Sequence, residues 1–283
     1  MMKDRNVLSQ RVIQLLVVLF IVHSSFDSIG QKTKDIPVGA VAGSQKYFLG
    51  VKGGVSVTWP GFTDKSAKES FDRGYKPGFG VGVMVGFPLK DRYGLILEAG
   101  ASQRGRIITY GPSNSYKHDM TMQMADVGMM LRRSFRFMLF KSTPSEIFVN
   151  VGPEINYWFR STGFLQYLDG QKYKYDVFFD KEGEVTKDQM NIVGANQWLF
   201  SLDIGVGMKA PISKTRYITT EVRFASGHTS LGKSTHWGRV ILEDQNSMRT
   251  NLKTLSVSVA YTLDFDVKEN RKGKSNIKKK MKR

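Results

Sequence analysis

The chain contains no cysteine, which excludes disulfides and thiolate metal centres. Beyond Val22 it also lacks any apolar run long enough to cross a bilayer as a helix, which takes about 20 consecutive apolar residues. Only 41% of residues are hydrophobic and the mean hydropathy is −0.29, less apolar than a helical membrane protein. Neither shortage argues against a transmembrane β-barrel, where only alternate residues meet lipid. Acidic residues are also scarce, 25 against 42 Lys and Arg, for a formal charge of +17. Much of that excess is local. Lys268, Arg271, Lys272, Lys274, Lys278, Lys279, Lys280, Lys282 and Arg283 crowd the last sixteen residues, opposed only by Glu269. Such a run suits an acidic protein, anionic lipid or nucleic acid, or simply a solvated tail.

What is present begins with an apparent secretion signal. Lys3, Arg5 and Arg11 form a basic lead, Val12 to Val22 is apolar except for Gln14, and Ser28 and Gly30 are small residues suited to cleavage before Gln31. The expected organisation is a signal peptide over 1–30, a periplasmic leader over 31–46, a main body over 47–267 and a basic tail over 268–283.

Within that body the dominant pattern is a period of two. From Leu255 to Asp266 every odd position is large and apolar and every even one is small or polar, as in a strand with one greasy face. Seven earlier segments repeat it, over about 47–59, 78–87, 93–103, 120–132, 147–159, 198–208 and 217–226. The fourth is irregular: Met122 and Met124 fall on the face opposite Val127 and Leu131, which predicts a bulge or register change. Short connections near Leu89–Arg92 and Pro211–Arg216 alternate with longer ones, of which Ser161–Asn196 is the longest. The pattern predicts an all-β fold: an eight-stranded antiparallel transmembrane β-barrel of outer-membrane type, in contact with outer-membrane lipid, with both termini periplasmic. A soluble eight-stranded barrel would turn the apolar faces inward instead. It would then expose Lys52, Glu98, Glu154, Asp203, Glu221 and Arg223. The signal, the aromatic strand ends and the loop rhythm favour the membrane.

In the membrane arrangement those six charges share one narrow lumen. Eight strands leave an interior that side chains fill, and unpaired charges there are costly. Lys52, Glu98, Glu154, Asp203, Glu221 and Arg223, with Asp126, are expected to pair as a plug, which disfavours a wide diffusion pore; a narrow ion path is the alternative. With periplasmic termini the basic tail does not meet nucleic acid, and its expected partner is a periplasmic or envelope protein.

Catalytic signals are weak, and the chain is not expected to be an enzyme. His228-Thr229-Ser230, with Glu243 in the same connection, offers the base, nucleophile and orienting carboxylate of an esterase. The lipid A 3-O-deacylase family places such a His-x-Ser pair and a Glu at the outer leaflet. Here, however, Ser230 is followed by Leu-Gly, unlike that family. His118, His228 and His236 have no ligand-like spacing, so neither a metal nor a cofactor is expected. Gly50-Val51-Lys52-Gly53-Gly54 is not a phosphate loop, because it lies within a strand. The Tyr- and Phe-rich connection 161–196 suits partner contact, and Lys172 to Phe179 within it reads as a hairpin extension of the flanking strands.

Several short motifs, in order, resemble one family. They are Phe48-Leu49-Gly50-Val51-Lys52-Gly53-Gly54, Pro77-Gly78-Phe79, Glu98 with Ser102-Gln103-Arg104-Gly105, Gly152-Pro153 with Asn156-Tyr157-Trp158, and Glu221-Val222-Arg223-Phe224 with Gly227. Together they resemble the PorT-like outer-membrane β-barrel proteins of Bacteroidota over roughly residues 47–266. The resemblance implies an eight-stranded outer-membrane barrel. The family's namesake takes part in type IX protein secretion and gliding-associated export, which implies an accessory role in an export or envelope assembly. The basic tail departs from the family's usual ending near the last aromatic strand.

Overall fold

The computed structural model describes residues 46–62, 65–89, 92–110, 116–139, 143–166, 169–179, 189–192, 196–231 and 250–265. The signal, the leader up to residue 45, the basic tail, His236 and Glu243 lie outside the described residues. Eight long strands carry the fold: β1 (Tyr47–Phe62), β3 (Lys76–Pro88), β4 (Tyr93–Tyr110), β5 (Tyr116–Leu139), β6 (Thr143–Gln166), β9 (Trp198–Pro211), β10 (Arg216–Gly227) and β11 (Thr250–Phe265). Four smaller elements are inserted between them: α1 (Lys65–Ser70), β2 (Phe71–Gly74), β7 (Lys172–Phe179) and β8 (Gln189–Ile192).

Each long strand pairs antiparallel with its neighbour, and β1 pairs with β11 from Tyr47↔Phe265 to Phe62↔Thr250, so the sheet closes on itself. Closure leaves none of the eight as a free edge, removing the unpaired backbone groups that lipid cannot satisfy. Side-chain alternation then divides the wall. Leu49, Val51, Val55, Val81, Val83, Val127, Ile155, Ile204 and Val206 are exposed outward, while Glu98, Asn150, Asp203, Glu221 and Arg223 are buried inside. An inverted, soluble barrel would show the opposite assignment.

Aromatic side chains cluster toward both ends of this apolar band. At the rim carrying Tyr47 and Phe265, the Tyr47 ring packs on Phe87 and Phe265, with centroids 6.2 and 6.0 Å away. At the far rim Tyr157 packs on Trp198 at 4.7 Å, and Trp59 meets Tyr75 and Phe224 at 5.8 and 6.2 Å. Rings of this kind settle at membrane interfaces, where one edge is apolar and the other wet.

The irregularity signalled by Met122 and Met124 is present, but on the partner strand. Gln123 pairs with Arg160 and Met124 with Trp158, so β6 carries one extra residue at Phe159. The methionines keep the inward parity of β5, and the interior beyond the bulge is apolar rather than polar. The far-rim strands also run longer than the periodicity indicates. β4 and β5 continue to Tyr110 and Tyr116, and β7 folds back on β6 from Ser161↔Val177 to Gln166↔Lys172. Lys172 to Phe179 therefore extends β6 alone, with β8 joining in parallel rather than β9.

Candidate functional site, the barrel interior

Inward positions on β1, β4, β6, β9 and β10 bring the six predicted charges into one layer. Arg223 is its centre. Its Nη1 and Nη2 donate to Glu98 at 2.7 and 2.9 Å, while Nε and Nη2 donate to Glu221 at 3.1 and 2.9 Å. This double bidentate geometry matches the planar guanidinium to two carboxylates, which a lysine cannot do. Lys52 pairs with Glu98 Oε2, the oxygen that also accepts from Arg223 Nη1. Asp203 accepts from Ser201 Oγ at 2.8 Å and lies 3.9 Å from Arg223, and Glu154 lies 4.0 Å from it.

The layer also contains groups that the charge pattern alone had left aside. Arg104 donates to Glu154 at 2.8 Å and sits 3.5 Å from Asp126. Asn156 bridges the same two carboxylates at 2.6 and 2.8 Å, and Asn150 links Arg132 to Glu221 at 3.0 and 2.9 Å. Parity was the available signal: Arg104 shares the even positions of Glu98 and Ser102, just past the expected end of its strand. Small residues make room for these long side chains. A Cβ at Gly205 would collide with the Glu221 carboxylate, and one at Gly86 with the Phe48 ring. A cavity of about 100 Å³ lies beside Lys52, Arg104 and Asp203, walled by Gly54, Gly80 and Gly100. That is room for several waters among polar groups, and the waters would solvate what the pairs leave unsatisfied.

Apolar layers bracket the charges. Toward the termini lie Phe48, Met84, Ile96, Met130 and Ala260. There the Arg132 guanidinium sits 3.7 Å from the centre of the Phe148 ring, and Lys209 contacts Asp264 at 2.8 Å. Toward the far rim lie Met120, Met122, Met124, Trp158, Leu199, Leu231 and Leu252. Above them His118 is buried and bonded to the Tyr175 hydroxyl, and Arg106 donates to Thr250 at 2.5 Å. A hydrated ion entering from either end must pass these apolar side chains, beside Arg132 and the Lys209–Asp264 pair on the terminus side, before it reaches the layer around Arg223, which is costly to the ion.

Of the esterase candidates, His228 and Ser230 are described. The backbone of His228 donates to Phe200 at 2.8 Å, its ring lies 6.2 Å from the Phe200 ring, and the Ser230 carbonyl accepts from Asn196 at 3.0 Å. Among the described residues, no hydrogen bond joins the His228 ring to Ser230. The two described histidines do not converge either: His118 is locked to Tyr175, and His228 is exposed beside Phe200.

A model of the outer membrane protein beta-barrel domain family matches residues 42–231, from the leader through β10. The chain belongs to that family. Its place in the outer membrane agrees with the outward apolar band and the aromatic rims. No curated protein matches the sequence. Among solved structures it is similar to the Neisserial surface protein NspA at 12% identity, covering 79% of this chain and 99% of NspA with a TM-score of 0.40. It is similar to OprG of Pseudomonas aeruginosa at 9% identity, covering 79% and 98% of the two chains with a TM-score of 0.44. A third is Ail of Yersinia pestis, at 10% identity, 77% and 100% coverage and a TM-score of 0.32.

Proposed function

We propose that this outer-membrane barrel is a closed scaffold, non-enzymatic and non-conducting, that serves an envelope assembly by binding protein partners. In this reading both termini are periplasmic and the far rim, with α1, β2, β7 and β8, stands outside the cell. One observation carries it: the charged layer around Arg223 is internally paired and bracketed by apolar residues at both ends. Polar groups engaged chiefly with one another are poorly placed to conduct or catalyse, but they hold a rigid wall on which exposed surfaces can act.

The resemblance to PorT-like proteins points this scaffold toward a protein-export accessory. The basic tail, Lys268 to Arg283, is its periplasmic contact, since nine cations in sixteen residues attract an acidic surface over about 8 Å at physiological salt. Affinity purification of the full chain from native outer membranes, beside a version ending at Val267, tests this. A stoichiometric protein partner retained by the full chain and lost on truncation is the expected result. Equal, partner-free barrels in both samples would remove the assembly role of the tail.

A further inference from the structure

Past the last girdle aromatic of β6, Phe159, the wall rises beyond the apolar band and its outward face becomes basic. Pairing sets Lys174 of β7 beside Phe164 of β6, and sets Lys172 of β7 and Lys117 of β5 on either side of Gln166. Paired residues on neighbouring strands share a face. This face is the outer one, because the alternate residues Leu165 and Tyr175 are buried within. The Lys117 and Lys172 ammonium groups lie 5.7 and 5.6 Å from the centre of the Phe164 ring, which gathers them by cation–π attraction. Arg160, exposed and on the same face, lies four residues along β6 toward the membrane.

Among the described residues, none of these four cations has a carboxylate within 4.0 Å. Asp119, which pairs across from Phe164, is engaged by Lys76, and Asp176 opposite Thr162 leaves the patch with a clear basic excess. At about 3.3 Å per residue Lys174 stands roughly 13 Å along the strand from Arg160. The barrel tilt brings that to about 10 Å above the girdle. Cations at this height on the outside of the wall look sideways along the membrane, so the neighbour always present is a lipid headgroup. Clustered ammonium groups of one sign repel, and an anion with several fixed phosphates relieves that repulsion at more than one of them.

We infer that Lys117, Lys172 and Lys174, with Arg160 beneath them, bind the phosphates of a phosphorylated glycolipid of the outer leaflet. The site extends the orientation proposed above, but it does not involve the tail or its partner. The test titrates the purified full chain in detergent micelles with diphosphoryl lipid A, phosphatidylglycerol and inorganic phosphate in separate arms.

Each cation near an anionic headgroup is worth about 1 kcal/mol, so the variant Lys117→Gln/Lys172→Gln/Lys174→Gln should bind diphosphoryl lipid A at least about tenfold more weakly than the native chain. Lys65→Gln/Lys68→Gln on α1, and the chain ending at Val267, should bind as the native chain does. Heat-modifiable gel mobility checks that each variant folds; should the triple variant not fold, Lys174→Gln alone is expected to lose about threefold to fivefold. A triple variant within twofold of native would overturn the site. So would phosphatidylglycerol or inorganic phosphate binding as tightly as lipid A, because either shows that any anion suffices. Native binding by the chain ending at Val267 keeps this outcome separate from the fate of the tail.

Discussion

Arg223→Met should destabilise the folded barrel by about 3–5 kcal/mol, the cost of leaving buried carboxylates without their cation. Arg223 satisfies both oxygens of Glu98 and both of Glu221, and Met preserves much of its stem while removing all four donations. Glu98 retains Lys52, whereas among the described residues Glu221 retains only the Asn150 amide. Removing the stranded acid as well, in Arg223→Met/Glu221→Met, should therefore recover part of the loss, because a buried pair replaced on both sides costs less than one broken on one side. Urea unfolding in phospholipid vesicles, followed by tryptophan fluorescence, measures both variants. A loss below about 1 kcal/mol for the single variant would mean that lumen water solvates Glu98 and Glu221, and the paired plug would be the wrong description.

The second large effect lies on the other side of the wall. Val83 is outward on β3, pairs with Val51 and Ala99, and sits midway between the aromatic rims. Val83→Arg should cost about 2–4 kcal/mol, because a guanidinium at the bilayer midplane loses its water. Phe87→Arg, at the rim beside Tyr47, should cost about 0–1 kcal/mol from the same cause, since depth sets the penalty. The same vesicle unfolding measures the two. If Val83→Arg changes stability by less than about 0.5 kcal/mol, as on a wetted surface, lipid does not cover this face.

Much of the fold is legible in the sequence because a barrel wall imposes one simple rule. Each residue between the girdles faces either lipid or lumen, so Leu255 to Phe265 or Trp198 to Met208 alternates without interruption, and both segments are strands of the expected face. The rule fades beyond the far rim, where neither side of the wall is lipid. There β4, β5 and β6 continue under polar sequence, and α1, β2 and β8 carry no alternation that identifies them.

The interior was legible in its charges and less so in its limits. Lys52, Glu98, Glu154, Asp203, Glu221 and Arg223 stand out as ionisable residues at inward positions, and strand parity sets Asn150 and Asn156 inward beside Glu154. Met122 and Met124 looked out of phase only because an inward residue was expected to be polar. Their place in the far apolar layer, opposite a bulge at Phe159, depends on contacts with Trp158, Leu199 and Leu252 from distant parts of the chain. Local periodicity holds no record of such contacts.

Single-channel recording in planar lipid bilayers most directly tests the closed interior. Full-length protein, shown to be folded by heat-modifiable gel mobility, is inserted at high loading and held under applied voltage in salt solution. The paired layer around Arg223 and the apolar layers on either side of it predict a silent bilayer. Reproducible conductance steps from the folded native chain would contradict the account and reveal a conducting path past Glu98 and Arg223.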